Sequence, residues 1–128
     1  MRLLLDTHAF LWFILDQPQL SAKADALISD PTNDVEVSPA SYWEIAIKIS
    51  LGKYSLPEPF EVFMEREIPA NHFRILHIQP RHTAAVSTMP FHHRDPFDRM
   101  LIAQSLVEHL PIITSDMAMH RYDADLIW

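Results

Sequence analysis

The chain has 128 residues, with one glycine, ten prolines, no cysteine and a formal charge of -7, from 10 Lys and Arg against 17 Asp and Glu. Average glycine usage of about 7% would give about nine, so a dinucleotide fingerprint or a phosphate-cradling P-loop, each needing several glycines, is excluded. The lack of cysteine removes thiol catalysis, Cys-ligated zinc, iron–sulfur clusters and disulfides, and allows a reducing compartment.

In chain order, Leu3-Leu4-Leu5 is a continuous apolar run of the kind that forms a strand buried on both faces of a parallel sheet. Asp6 ends it, and the same acid interrupts any apolar signal-peptide region. Thr7 to Leu15 reads as a helix with Phe10, Phe13 and Ile14 at helical spacing, stopped by Gln17-Pro18. Its apolar run from Ala9 falls far short of the ~20 residues of a membrane span. Ser21 caps a helix over Ala22 to Ile28, and Val35 to Val37 forms a short strand. Ser38-Pro39 opens the next helix, which ends where Gly52 supplies a left-handed residue. A loop over Tyr54 to Pro59 leads to a helix over Phe60 to Ile68, a strand over Arg74 to Ile78 and a helix over Arg81 to Met89. Phe91 to Arg94 is a polar loop. Asp95-Pro96 repeats the cap-then-proline signal and starts a helix that reaches about His109. Pro111 to Thr114 is a buried strand, Met117 to His120 one helical turn, and Leu126 to Trp128 a last short strand. Strands alternating with helices predict a three-layer α/β/α sandwich on a mostly parallel sheet, built as a single domain over residues 1–128.

In such sheets the working site lies beyond the carboxyl ends of the strands. Asp6 and Asp116 fall there directly, Asp98 sits in the first turn of the helix opened by Asp95, and Glu44 lies near the start of the helix after Val35–Val37. All four are flanked by apolar residues, where an acid is costly unless it is paired or metal-bound. Converging carboxylates suit a hard cation such as Mg²⁺ or Mn²⁺. The competing reading is structural: Asp95, Asp98 and Asp116 can each cap a helix start, and Glu44 can pair with Lys48 at i,i+4. That surface pair would contribute only a few tenths of a kcal/mol, so it explains Glu44 poorly.

Four blocks carry a resemblance: Leu4-Leu5-Asp6-Thr7-His8; Ser41-Tyr42-Trp43-Glu44-Ile45-Ala46-Ile47-Lys48; His93-Arg94-Asp95-Pro96-Phe97-Asp98-Arg99-Met100-Leu101-Ile102-Ala103-Gln104; and Thr114-Ser115-Asp116. In order and spacing they resemble the signature blocks of PIN-domain ribonucleases, especially the toxins of VapBC-type toxin–antitoxin pairs. The resemblance implies a PIN fold, Mg²⁺- or Mn²⁺-dependent endoribonuclease activity and a small cognate antitoxin; a homodimer is expected from an exposed apolar helix face that would pair two subunits and receive the antitoxin. The resemblance also implies that Asp6, Glu44, Asp98 and Asp116 are the metal-binding and catalytic quartet, with Asp95 left as the structural cap. Thr114 and Ser115 match polar positions that would assist the metal or the substrate phosphate.

Lys48, Arg94 and Arg99 flank the acidic blocks and are expected to line the rim and position RNA phosphates. The eight histidines show no HExxH pair, and adjacent His92 and His93 would point apart, so they are read as structural or solvated. Phe10, Trp12, Phe13 and Trp43 are read as core or interface. A phosphatase of the haloacid dehalogenase kind would need a second Asp where His8 stands, and a receiver domain would need a lysine after the late strand, where Ser115-Asp116 stands. An RNA-maturation nuclease without an antitoxin, or a non-catalytic α/β binding module, are the alternatives. The expected location is the cytoplasm, with no membrane association.

Overall fold

Continuous apolar strands need cover on both faces, and the computed structural model, which describes residues 1–128, meets that need. Five strands, β1 (Arg2–Leu5), β2 (Asp34–Val37), β3 (Arg74–Ile75), β4 (Ile112–Ile113) and β5 (Leu126–Ile127), form one sheet in the order β3-β2-β1-β4-β5. Every pairing is parallel, with Leu5 opposite Val37 on one side and Ile113 on the other. The helices are α1 (Thr7–Ile14), α2 (Ala22–Ser29), α3 (Pro39–Ser50), α4 (Phe60–Ala70), α5 (Pro80–Thr88) and α6 (Pro96–Glu108), with a 3₁₀ helix over Met117–Arg121.

Side chains alternate across a strand, so the three leucines of β1 serve two cores. Leu3 and Leu5 pack with Phe10 of α1, Ile45 of α3 and Phe63 of α4. Leu4 points the other way, into Leu101 and Ile102 of α6 and Met119. This is the three-layer arrangement. Leu3, Leu4 and Leu5 are wholly buried, each contributing about 1.5–3 kcal/mol. No helix is long and apolar enough to cross a membrane.

Most element ends fall within a residue or so of expectation, and the two largest differences, in an edge strand and a helix, have local reasons. The strand expected over Arg74–Ile78 pairs only at Arg74 and Ile75, because β3 is an edge strand with β2 as its one neighbour and the chain must turn to meet the cap Gln79 of α5. Helix α4 runs past Ile68 through Pro69 to Ala70. The bond that proline cannot make is one to Glu65, and both residues are exposed, so water can serve that carbonyl.

Helix closure is more general than the single glycine suggested. Gly52 has φ 69°, and its N–H and that of Lys53 bond to Ile49 and Lys48, closing α3 in a Schellman motif. Asp16 and His72, with φ of 52° and 57°, close α1 and α4 by the same pair of bonds, and His109, at 55°, ends α6.

Candidate metal centre

Parallel strands all deliver their carboxyl ends to one side of the sheet, and the residues just past them build the centre. Asp6 follows β1 as the N-cap of α1: its Oδ1 accepts from the Ala9 N–H at 2.7 Å. Its Oδ2 accepts from the Thr114 hydroxyl at 2.5 Å. Burial pushes the Asp6 carboxyl up, and the bonds from Thr114 and Ala9 work against that shift. Asp116 follows β4 and caps the 3₁₀ helix through the Ala118 N–H at 2.9 Å. Its own N–H donates to Thr114 Oγ1 at 3.0 Å, so a single hydroxyl ties Asp6 to Asp116.

Glu44 reaches the same region from the second turn of α3, with 6% of its surface exposed. Its Oε1 accepts from the Thr7 hydroxyl at 2.8 Å, and its Oε2 lies 2.8 Å from Lys48 Nζ. That bond raises the Lys48 amine above its ordinary value. The i,i+4 pair therefore exists, but the carboxylate it holds is buried, unlike that of a surface pair.

Asp95 is the N-cap of α6, accepting from the N–H groups of Phe97 at 2.8 Å and Asp98 at 3.0 Å. Its side chain is thereby committed to the helix start. Asp98, one turn in, makes no cap. Its carboxyl is pushed up to about 8, first by burial and then by the charges of Asp95, Glu44, Asp116 and Asp6. That repulsion places Asp98 within electrostatic reach of the other three expected acids, of which Asp6 and Glu44 are buried and Asp116 is partly exposed.

His93 enters where sequence reading had placed only a solvated or structural ring. Its Nε2 is 3.3 Å from Asp98 Oδ2 and 3.6 Å from Asp116 Oδ2. One side-chain atom from each of His93, Asp98 and Asp116 lies within 4.8 Å of the others. The donor set as a whole is dominated by carboxylate oxygens, which fit a hard divalent cation, and their mutual repulsion is what such a cation relieves.

The sequence comparison with the PIN domain family matches residues 3–125. The chain belongs to the PIN domain family. No curated protein sequence matches it. In structure it is similar to a chain of VapBC2 from Rickettsia felis bound to a DNA fragment from their promoter, at TM-score 0.73 and 13% identity, covering 100% of this chain and 99% of that one. FitAcB from Neisseria gonorrhoeae is similar at TM-score 0.69 and 19% identity, covering 98% and 96%. VapBC-1 from nontypeable Haemophilus influenzae is similar at 0.66 and 15%, covering 99% and 97%.

Several expected substrate contacts of this PIN domain sit elsewhere. Arg99 is not on the rim: it is 5% exposed, and its guanidinium donates to the Pro90 carbonyl and the Tyr122 hydroxyl, both at 3.0 Å, beneath the Phe91 ring. Thr114 is 1% exposed, and its hydroxyl is wholly engaged by Asp6 and Asp116, so it holds the acids and does not reach outward. Ser115 is exposed next to Asp116, Lys48 is half-exposed and paired with Glu44, and exposed Arg94 lines the apolar cleft described below. Among the aromatics, Phe10 is core and Trp12 and Phe13 are half-buried, while Trp43 is 62% exposed. Trp43 meets Phe97 edge-to-face at 5.3 Å, and with Ile78, Val86, Phe91 and Met100 it lines an apolar cleft between α3, α5 and α6.

Proposed function

We propose that residues 1–128 act as a single metal-dependent endoribonuclease domain, the toxin of a toxin–antitoxin pair, working in the cytoplasm. The observation that carries this reading is the gathering of acids past the strand ends: the Thr114 hydroxyl ties Asp6 to Asp116, Asp98 and Asp116 lie within 4.8 Å of one another, and Glu44 is bonded to Thr7 beside Asp6. Membership of the PIN family, whose members are nucleases, supports hydrolysis of a phosphodiester. Asp6, Asp98 and Asp116 would hold Mg²⁺, with Mn²⁺ as a substitute. When bound, such a cation polarises a phosphoryl oxygen and lowers the pKa of a coordinated water. Glu44, braced by Thr7 and Lys48, completes the shell or orients the attacking water. Attack by water, without the ribose 2′-hydroxyl, leaves a 5′-phosphate and a 3′-hydroxyl. With one glycine in the chain, no loop of backbone amides cradles phosphate, so exposed Arg94, Lys48 and Ser115 are the groups left to position it.

The antitoxin proposal leans on similarity to chains of VapBC2 and VapBC-1. The homodimer proposal leans on the apolar cleft, where Trp43 and Phe91 are 62% and 79% exposed and apolar surface of this kind marks protein interfaces.

The test is RNA cleavage by the purified chain with Mg²⁺, with EDTA and with Asp6→Asn. Cleavage is expected only in the first, and cleavage persisting in both others refutes the metal reading. Growth arrest on expression, relieved by co-expressing the product of an adjacent small reading frame, separates a toxin from a maturation enzyme.

A further inference from the structure

We propose that His93 is a positioning residue of this centre: its ring turns Nε2–H toward the carboxylates of Asp98 and Asp116 and does not itself ligate the cation. The proposal rests on the reading that those carboxylates hold a cation, and it concerns which way the ring's hydrogen bonds run. The Asp95 backbone N–H donates to His93 Nδ1 at 3.0 Å. A nitrogen that accepts a hydrogen bond carries no proton, so the single proton of the neutral ring lies on Nε2. Nε2 is the atom that faces Asp98 Oδ2 at 3.3 Å and Asp116 Oδ2 at 3.6 Å.

A histidine that binds a metal normally has the opposite polarity: one nitrogen coordinates, and the other donates its N–H to a carbonyl or carboxylate. Here the second nitrogen meets a donor. Coordination through Nε2 would require an imidazolate with two bare nitrogens, or a ring that abandons the Asp95 N–H.

The loop is built to hold the ring in this pose. The Tyr122 hydroxyl oxygen accepts from the N–H groups of His92 at 3.1 Å and His93 at 3.0 Å. Arg99 fastens the same hydroxyl and the Pro90 carbonyl, each at 3.0 Å. Asp95 accordingly has two tasks: its carboxylate caps α6 and so aims Asp98, while its N–H fixes the His93 tautomer that restrains the Asp98 oxygen. Arg99, buried and remote from the rim, serves the centre through this loop.

The test reads the ring directly by ¹⁵N NMR of labelled protein, with His93 assigned by the signals lost in His93→Gln. With EDTA and with Mg²⁺, Nε2 is expected to stay protonated and Nδ1 bare. Loss of the Nε2 proton on adding Mg²⁺, or an Nδ1-protonated ring in either condition, overturns the proposal. Mn²⁺ binding followed by electron paramagnetic resonance gives a second readout. His93→Gln, which keeps a donor, is expected to hold the Kd within about threefold, while His93→Ala weakens it about tenfold, as removal of a group that orients a ligand does. Equal weakening in both variants, or none in either, overturns the role assigned to His93. Failure of the wild type to bind Mn²⁺ overturns instead the metal reading beneath it.

Discussion

Thr114→Val is the most informative single change, because it keeps the shape of a 1% exposed side chain and removes only the hydroxyl joining Asp6 to Asp116. Valine fills the same space, so no cavity penalty enters. The lost bond to Asp6 is charge-assisted when the carboxylate is ionised, which makes it worth about 1.5–3 kcal/mol, against about 1 kcal/mol when it is neutral. Asp6 already has a raised pKa from burial, and Thr114 opposes that shift, so the variant raises it further. The sign follows. A carboxyl whose folded pKa exceeds its unfolded value favours folding at low pH and loses that contribution as pH rises toward the folded pKa. The variant loses more than the wild type over this range, so its deficit grows with pH. Urea unfolding across a pH series should give a deficit of about 1 kcal/mol at the acidic end, where Asp6 is protonated, rising to about 2–3 kcal/mol where it is ionised. Both leave the fold intact against a typical stability of about 5–15 kcal/mol. Thr114→Ser, retaining the hydroxyl, should recover most of the difference at high pH. A deficit below about 1 kcal/mol that does not change with pH refutes the reasoning.

Four further outcomes are expected. Asp95→Ala removes the cap of α6 and should lower stability by about 0.5–2 kcal/mol, measured by thermal denaturation with EDTA. Asp98→Asn should instead raise it, by an amount that grows with pH and levels off above about 8, while abolishing RNA cleavage. A cation must displace the Asp98 proton, so Mn²⁺ affinity measured by calorimetry should strengthen with pH up to about 8 with proton release, and pH-independent affinity would contradict the assignment. Asp16→Gly, His72→Gly and His109→Gly each relieve a left-handed backbone at an exposed side chain, and each should stabilise by about 0.5–1 kcal/mol in chemical denaturation.

The parallel sheet was legible because Leu3–Leu5 and the run from Pro111 are apolar without alternation and strands alternate with helices along the chain. The helix starts were legible because Ser38-Pro39 and Asp95-Pro96 combine a capping side chain with the one residue that tolerates the first turn. The positions of Asp6 and Asp116 past strand ends, and the capping of α6 by Asp95, were legible in the sequence. What escaped depends on contacts across the fold. Arg99 and Tyr122 are 23 positions apart, and nothing local says that Arg99 turns inward to fasten a loop. His93 faces Asp98 and Asp116 only because that loop is fastened, and neighbouring histidines on a loop carry no periodicity from which to infer direction. Trp43 resembles core by composition, yet the apolar stripe that buries Ile45 leaves Trp43 on the outer side of α3.

The bond between Thr114 and Asp6 joins residues 108 positions apart, and the pairing of Leu5 with Ile113 spans the same separation. Contacts of such separation form late, since the chain must close a long loop before they return any free energy. The carboxylates are distributed the same way, one on each of four distant segments. A growing chain, a fragment or a partly folded intermediate therefore has individual acids but no assembled centre. The two-residue strand β4, docked beside β1, is what carries Thr114 and Asp116 to Asp6, so the centre is incomplete until that pairing forms.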